Sequence, residues 1–279
     1  MSKNKLVSII IPTRNSSIFL ENCITSIKKQ SYKKIELLIV DGNSTDKTLS
    51  IARKYHVRVL RYIPKVASGT FDAPYKRNYG VKKAKGYYVY YVDADMELTK
   101  NVVKHAVIKC ESGHDAVILP EDSFGKGIWA SAKNLERRCY WGDNKAEAPR
   151  FFKKSVWQKL GGLDASIGGG GDDWDMYQKT LEKGYKVGRI KDLVMHNEGD
   201  LKLWKLLKKR FMYGKDALKY IRKRPGIASV SYFPIRASYI KNWKMFLLRP
   251  LDTLAFVYMR TLEYTAGALG ILYSLLHTQ

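Results

Sequence analysis

The sequence predicts an α/β layer structure with a largely parallel sheet, followed by a helical extension. Short β-branched or aromatic runs alternate with helix-period segments over about the first 200 residues. Two of those runs end in aspartates, Asp41 and Asp93, where ligands of such sheets sit. After His196 the pattern becomes helical, with apolar faces set among lysines. The expected division is a catalytic domain over 1–200 and a basic, apolar helical extension over 201–279.

Leu6–Ile11 reads as the first buried strand, and "PTRNSS" after it as a loop and helix start. Phe19, Ile24 and Ile27 give helical spacing over 18–30, and "IELLIVDG" is a second strand. "NSTDKTLSIARKY" is a capped helix, "HVRVLRYI" a third strand, and 74–85 a further helix. "GYYVYYVDAD" is the fourth strand. From 120 to 150 the pattern loosens into turn residues and mixed charge. "SVWQKLGGLD" is a short helix stopped by two glycines. Residues 168–184 are a glycine-rich loop feeding a helix, and "YKVGRIKDLVMH" returns to strand.

The charge balance narrows function. Fifty Lys and Arg against 26 Asp and Glu leave a formal +24, which points to a polyanionic partner or surface. Cys23, Cys110 and Cys139 are widely spaced and odd in number, which argues against a disulfide framework or structural zinc and fits a reducing cytoplasm. The apolar run before Pro12 is too short for a signal-peptide core.

The chemistry centres on "VDAD". Asp93 and Asp95 close an apolar strand, and neighbouring carboxylates repel unless a cation lies between or near them. A divalent ion such as Mg²⁺ or Mn²⁺, bridging to substrate phosphates, answers that repulsion. A solvated acidic turn is the plainer reading. Asp172 and Asp173 are either helix caps or working carboxylates, and His196 is either a packed bystander or a ligand.

"IIIPTRN", "IVDGNSTD", "YKRNYG", "VDAD" and the segment from Lys154 to Ile190 occur in an order that resembles the family 2 glycosyltransferases of GT-A fold, a Rossmann-like nucleotide-binding sheet flanked by helices. The resemblance runs through roughly residues 6–200. It implies an inverting transfer of a sugar from a UDP- or GDP-sugar to a hydroxyl acceptor. Pro12, Thr13, Arg14, Asn15, Asp41, Asn43, Ser44, Arg77, Asp93 and Ala94 would line the donor site. Asp95 and His196 would hold Mn²⁺ or Mg²⁺, and Asp173 would be the base, in the first turn of a helix whose dipole favours its ionised form. Leu163 stands where the family usually has phenylalanine, and Asp172-Asp173 where it has Glu-Asp. The Gln-x-x-Arg-Trp motif of processive synthases is absent, which favours one or a few sugars per acceptor.

Lys209 and Arg210 lie where a mobile segment would cover the diphosphate; a solvated basic face is the alternative. Trp129, Glu147 and Arg150 are assigned to acceptor contact or to packing. Basic residues with interleaved Trp, Phe and Tyr after 200 read as a membrane-interface element, with Trp204, Trp243 and Tyr258 at headgroup depth. A soluble homo-oligomer face through the C-terminal helices and a spanning helix are the alternatives, although Arg260 and Glu263 break the apolar run. The membrane reading places the enzyme at the inner face of the cell membrane, with a lipid-linked saccharide as acceptor. Among rival functions, nucleic-acid binding lacks a recognition motif, and a dinucleotide oxidoreductase lacks its glycine cradle. A catalytically inactive scaffold of the same fold is opposed by the intact aspartates.

Overall fold

The computed structural model describes residues 4–63, 71–167, 171–226 and 236–277. The chain runs through β1 (Val7–Thr13), α1 (Ser17–Lys28), β2 (Ile35–Asp41), α2 (Thr48–Lys54), β3 (Arg58–Arg61), α3 (Ala73–Lys83) and β4 (Tyr88–Tyr91). Next come β5 (Met96–Leu98), α4 (Val102–Glu111), β6 (Ala116–Ile118), β7 (Glu121–Lys126), α5 (Gly127–Cys139), β8 (Phe151–Lys153), α6 (Lys154–Lys159), α7 (Gly171–Glu182), β9 (Val187–Arg189) and β10 (Val194–Asp200). The C-terminal helices are α8 (Leu203–Lys223), α9 (Ala237–Lys241), α10 (Trp243–Leu248) and α11 (Pro250–His277).

Seven strands form the main sheet in the order β3-β2-β1-β4-β8-β6-β9, and β5-β10-β7 form a second. Strands β3, β2, β1 and β4 are mutually parallel, whereas β8 is antiparallel to both neighbours. Every β1 side chain is buried because helices cover both faces of the sheet. Burial on that scale contributes about 1.5–3 kcal/mol per large aliphatic side chain. The parallel order β2-β1-β4 brings Thr13, Asp41 and the turn after Tyr91 to one edge, where the site is built.

Gly80 shows how closely α3 packs there. A Cβ at this position would collide with the Ile10 side chain, so the helix approaches β1 only without one.

The structure departs from the sequence reading in three places. The 120–150 segment holds β7 and all of α5 rather than an irregular loop. The "YKVGRIKDLVMH" run is divided between β9 in the main sheet and β10 in the second. Strand β4 stops at Tyr91, so Asp93 and Asp95 sit in a turn closed by Met96 N–H donating to Asp93 O (3.1 Å). The expected glycine loop reaches residues 168–170, which lie outside the described residues; α7 follows from Gly171.

Candidate active site

Two loops are laced together above β1 and β2. Thr13 Oγ1 donates to Asp41 Oδ1 (2.9 Å), and Ser44 N–H donates to Asp41 Oδ2 (2.9 Å). Asn15 N–H donates to Ser44 Oγ (2.9 Å), and Asn15 Oδ1 accepts from Thr45 N–H (2.8 Å). Asn15 and Asn43 take positive φ, a conformation asparagine tolerates. Asp41 is fully buried with both oxygens engaged, while Arg14, Asn15 and Asn43 stay exposed on the rim. Pro12 is buried in the sheet opposite Val40.

The aspartates of the VDAD motif find separate partners. Asp93 Oδ1 accepts from Arg77 Nη2 (2.7 Å) and Asp93 Oδ2 from Arg150 Nη1 (2.9 Å). Burial alone would raise the Asp93 pKa, but these guanidiniums hold it well below the usual carboxylate range. Ala94 packs into the core between the two acids. Asp95 Oδ2 faces His196 Nε2 at 3.1 Å. Arg137 Nη2 approaches His196 Nδ1 at 2.5 Å. Burial and the Arg137 charge oppose protonation, but Asp95 and Glu121 raise the His196 pKa to about 9, so the ring favours its charged form beside these carboxylates.

Arg77 reaches across to α7. Its Nη1 donates to Asp172 Oδ2 (3.1 Å) and lies 3.5 Å from Asp173 Oδ1. Tyr91 O–H donates to Asp173 Oδ1 (2.8 Å), and Arg150 Nη2 lies 3.5 Å from Asp173 Oδ2. Thus the strand turn and the helix start are joined through two arginines stacked on the Tyr91 ring. Asp172 is 1% exposed, whereas the Asp173 side chain keeps 17%. Burial, and then the charge on Asp173, raises the Asp172 carboxyl to about 7 against the pull of Arg77.

Residues fit for a divalent ion are few. Asp95 Oδ1 is buried without a hydrogen-bond partner, which is what an ion-facing carboxylate oxygen presents. His196 is beside it. Among the described residues no group of three or more His, Cys, Asp or Glu is gathered for a metal, so any ion here draws further ligands from substrate or water.

The structure brings together Asp93, Asp95, Arg77, Asp172, Asp173 and His196, and it sends two other candidates elsewhere. Arg210 Nε pairs with Glu263 Oε1 (2.8 Å) on α11. Lys209, next in sequence, instead acts electrostatically on Asp95. Trp129 stacks on Tyr258 at 6.1 Å between ring centroids. Arg150 and Glu147 part as well: Arg150 joins the carboxylates, while Glu147 pairs with Arg189. Missed by sequence reasoning were the Tyr91 hydroxyl and the pair Glu121–Arg137, which abuts His196. No local pattern marks them, because each acts through tertiary placement.

The glycosyl transferase family 2 model matches residues 8–166, and the chain belongs to that family. A Staphylococcus aureus poly(ribitol-phosphate) β-N-acetylglucosaminyltransferase, TarS, is 32% identical over 114 residues, 40% of this chain and 20% of that protein. The chain thus aligns with about a fifth of that relative's length. A Campylobacter jejuni GalNAc(5)-diNAcBac-PP-undecaprenol β-1,3-glucosyltransferase is 24% identical over 261 residues, 84% of this chain and 82% of that one. In structure, a Pyrobaculum calidifontis mannosyltransferase in complex with GDP-Man and Mn²⁺ superposes with a TM-score of 0.65 at 17% identity, covering 98% of this chain and 88% of its own. S. aureus TarS 1–349 in complex with UDP gives 0.53 at 18% identity, covering 98% and 92%. These likenesses establish the GT-A fold.

Proposed function

We propose that the protein is an inverting, metal-dependent transferase that moves a sugar from a UDP- or GDP-sugar to a hydroxyl on a lipid-linked saccharide. The observation that carries this reading is the arginine-bridged meeting of Asp93 with Asp172 and Asp173, beside the unpartnered Asp95 Oδ1. Thr13, Arg14, Asn15, Asp41, Asn43 and Ser44 form the nucleoside rim, with Pro12 and Ala94 shaping its floor. Because Thr13 and Ser44 already donate to Asp41, their hydroxyls set which face of that carboxylate a base can reach.

Asp173 takes the proton from the acceptor hydroxyl as its oxygen bonds to the anomeric carbon. The bond from that carbon to the diphosphate oxygen breaks, and the oxygen keeps the electron pair. One displacement inverts the anomeric centre. Tyr91 and the two arginines fix the Asp173 carboxylate in place, and its residual exposure gives an acceptor access. Asp172, more buried and held by Arg77, is the structural member of the pair. Asp95 and His196 would hold Mn²⁺ or Mg²⁺, which when bound neutralises charge on the leaving diphosphate. Ligation by His196 requires Nε2 to give up its proton. Lys209 adds positive charge on the same side.

The acceptor assignment is supported by the surface beyond residue 200. Trp243, Leu247, Leu248, Leu251 and Leu254 are all exposed, with Lys241 and Lys244 among them. An apolar ridge with basic flanks matches an anionic leaflet, which would hold the enzyme at the inner face of the cell membrane. No helix among the described residues is long and apolar enough to cross a membrane. The test presents the full chain with a panel of UDP- and GDP-sugars, Mn²⁺, and a polyprenyl-diphosphate-linked saccharide. Sugar transfer with inverted anomeric configuration is expected from at least one donor. Retained configuration, or no turnover with any donor, contradicts the reading.

A further inference from the structure

A groove of ≈ 580 Å³ opens between the start of α5 and the start of α8, outside the carboxylate site. Its walls are mostly apolar: Ile128, Trp129, Leu203, Trp204 and Leu207. Trp204 is 62% exposed, a large apolar surface left facing water. The volume falls within the range of small-molecule sites.

We propose that this groove seats the hydrocarbon chain of the membrane-borne acceptor, an isoprenoid or similarly long apolar tail. The inference rests on the lipid-linked acceptor reading above and adds where its tail lies. Three features support this occupant. The groove is continuous with the apolar ridge, because Trp129 in its wall stacks on Tyr258, an exposed residue of α11. Lys126 and Lys202 stand at its rim, suited to an anionic lipid, although Lys202 also pairs with Asp200 (2.7 Å).

The third feature is a track to the chemistry along two paired strands. Parallel strands β7 and β10 begin at the active site, where Glu121 and His196 meet, and end in the groove at Lys126 and Asp200. The five steps of β7 from Glu121 to Lys126 span about 17 Å at roughly 3.3 Å each, while a bulge interrupts β10 between Asn197 and Asp200. A diphosphate and its first sugar extend over a comparable distance, so a tail in the groove would bring the saccharide to the Glu121 end of the track, where Arg150 lies between Glu121 and Asp173.

The test measures binding of farnesyl diphosphate and of inorganic pyrophosphate to the full chain by calorimetry, in EDTA and without nucleotide. Farnesyl diphosphate should bind and pyrophosphate should not. Trp204→Ser, and separately Ile128→Asp, should weaken farnesyl diphosphate by about tenfold, the effect of losing part of one large apolar contact. Both positions are exposed enough to keep the fold, which circular dichroism checks. Equal binding of the two ligands, or unchanged affinity in both variants, overturns the proposal. So does self-association that Trp204→Ser abolishes, because a second copy would then fill the groove. If the parent transfers sugar to a lipid-linked acceptor but does not bind farnesyl diphosphate, only the groove fails. If it binds the chain but never transfers sugar, the functional reading fails instead.

Discussion

Asp173 and Asp172 are adjacent in sequence, yet their surroundings divide them. Asp173→Asn should lower the rate of transfer by about 10²–10⁴-fold while nucleotide affinity is kept, because a general base acts only in the chemical step. Steady-state rates beside nucleotide titrations check this; a loss of both would make Asp173 a binding residue. Asp172 allows a prediction about stability. Its folded pKa, at about 7, lies above the ordinary carboxylate value of about 4, so ionising it in the folded state costs stability. That cost is absent below the unfolded pKa and grows until pH passes the folded pKa. The urea midpoint of Asp172→Asn minus that of the parent should therefore rise between about pH 4 and pH 7 and level off above. A flat difference would mean that Arg77 fully compensates the charge. Asp93, Asp95 and Asp173 were legible because they sit in motifs with fixed spacing. Arg150 was visible only as a vague acceptor candidate, since its role depends on β8 inserting beside β4.

At the scale of elements, the clearest lesson is α5. Its sequence looked irregular because Lys133 and Glu136 lie on the buried face and break the apolar stripe. They are buried because α11 brings Glu263 and Arg260 against them. Lys133 Nζ lies 2.8 Å from Glu136 and 3.2 Å from Glu263, and Arg260 is 3.3 Å from Glu136. The charges that interrupt the apolar run of α11 thus belong to an ion cluster with α5 and α8, which no single helix reveals. Where α8 crosses α11 the backbones nearly touch: a Cβ on Gly214 would collide with the Gly267 carbonyl, and one on Gly270 with that of Phe211. Glu263→Ala leaves Lys133, Arg210 and Arg260 short of a buried partner and should cost about 3–5 kcal/mol, read by urea unfolding. A change below about 1 kcal/mol, the size of an exposed pair, would show that water reaches the cluster. The strands β1, β2 and β4 needed no such context, since their apolar runs are continuous and bounded by turn residues.

For the molecule as a whole, the excess positive charge and the exposed apolar ridge support the proposed membrane attachment: basic side chains would attract the protein to an anionic surface, and Leu248 (81% exposed) with its neighbours would anchor it there. The triple variant Leu248→Ser, Leu251→Ser, Leu254→Ser should reduce flotation with anionic vesicles severalfold, and raising salt should weaken binding of the parent as surface charges are screened. Equal flotation of both proteins would assign the ridge to another partner. The central claim concerns the turn after β4, where Asp95 keeps one oxygen unpartnered. The most direct measurement is calorimetric titration of UDP and GDP into the parent and Asp95→Ala, each with Mn²⁺ and with EDTA. The account predicts tight binding of at least one nucleotide only in the parent with Mn²⁺. Equal affinity in all four conditions would contradict it.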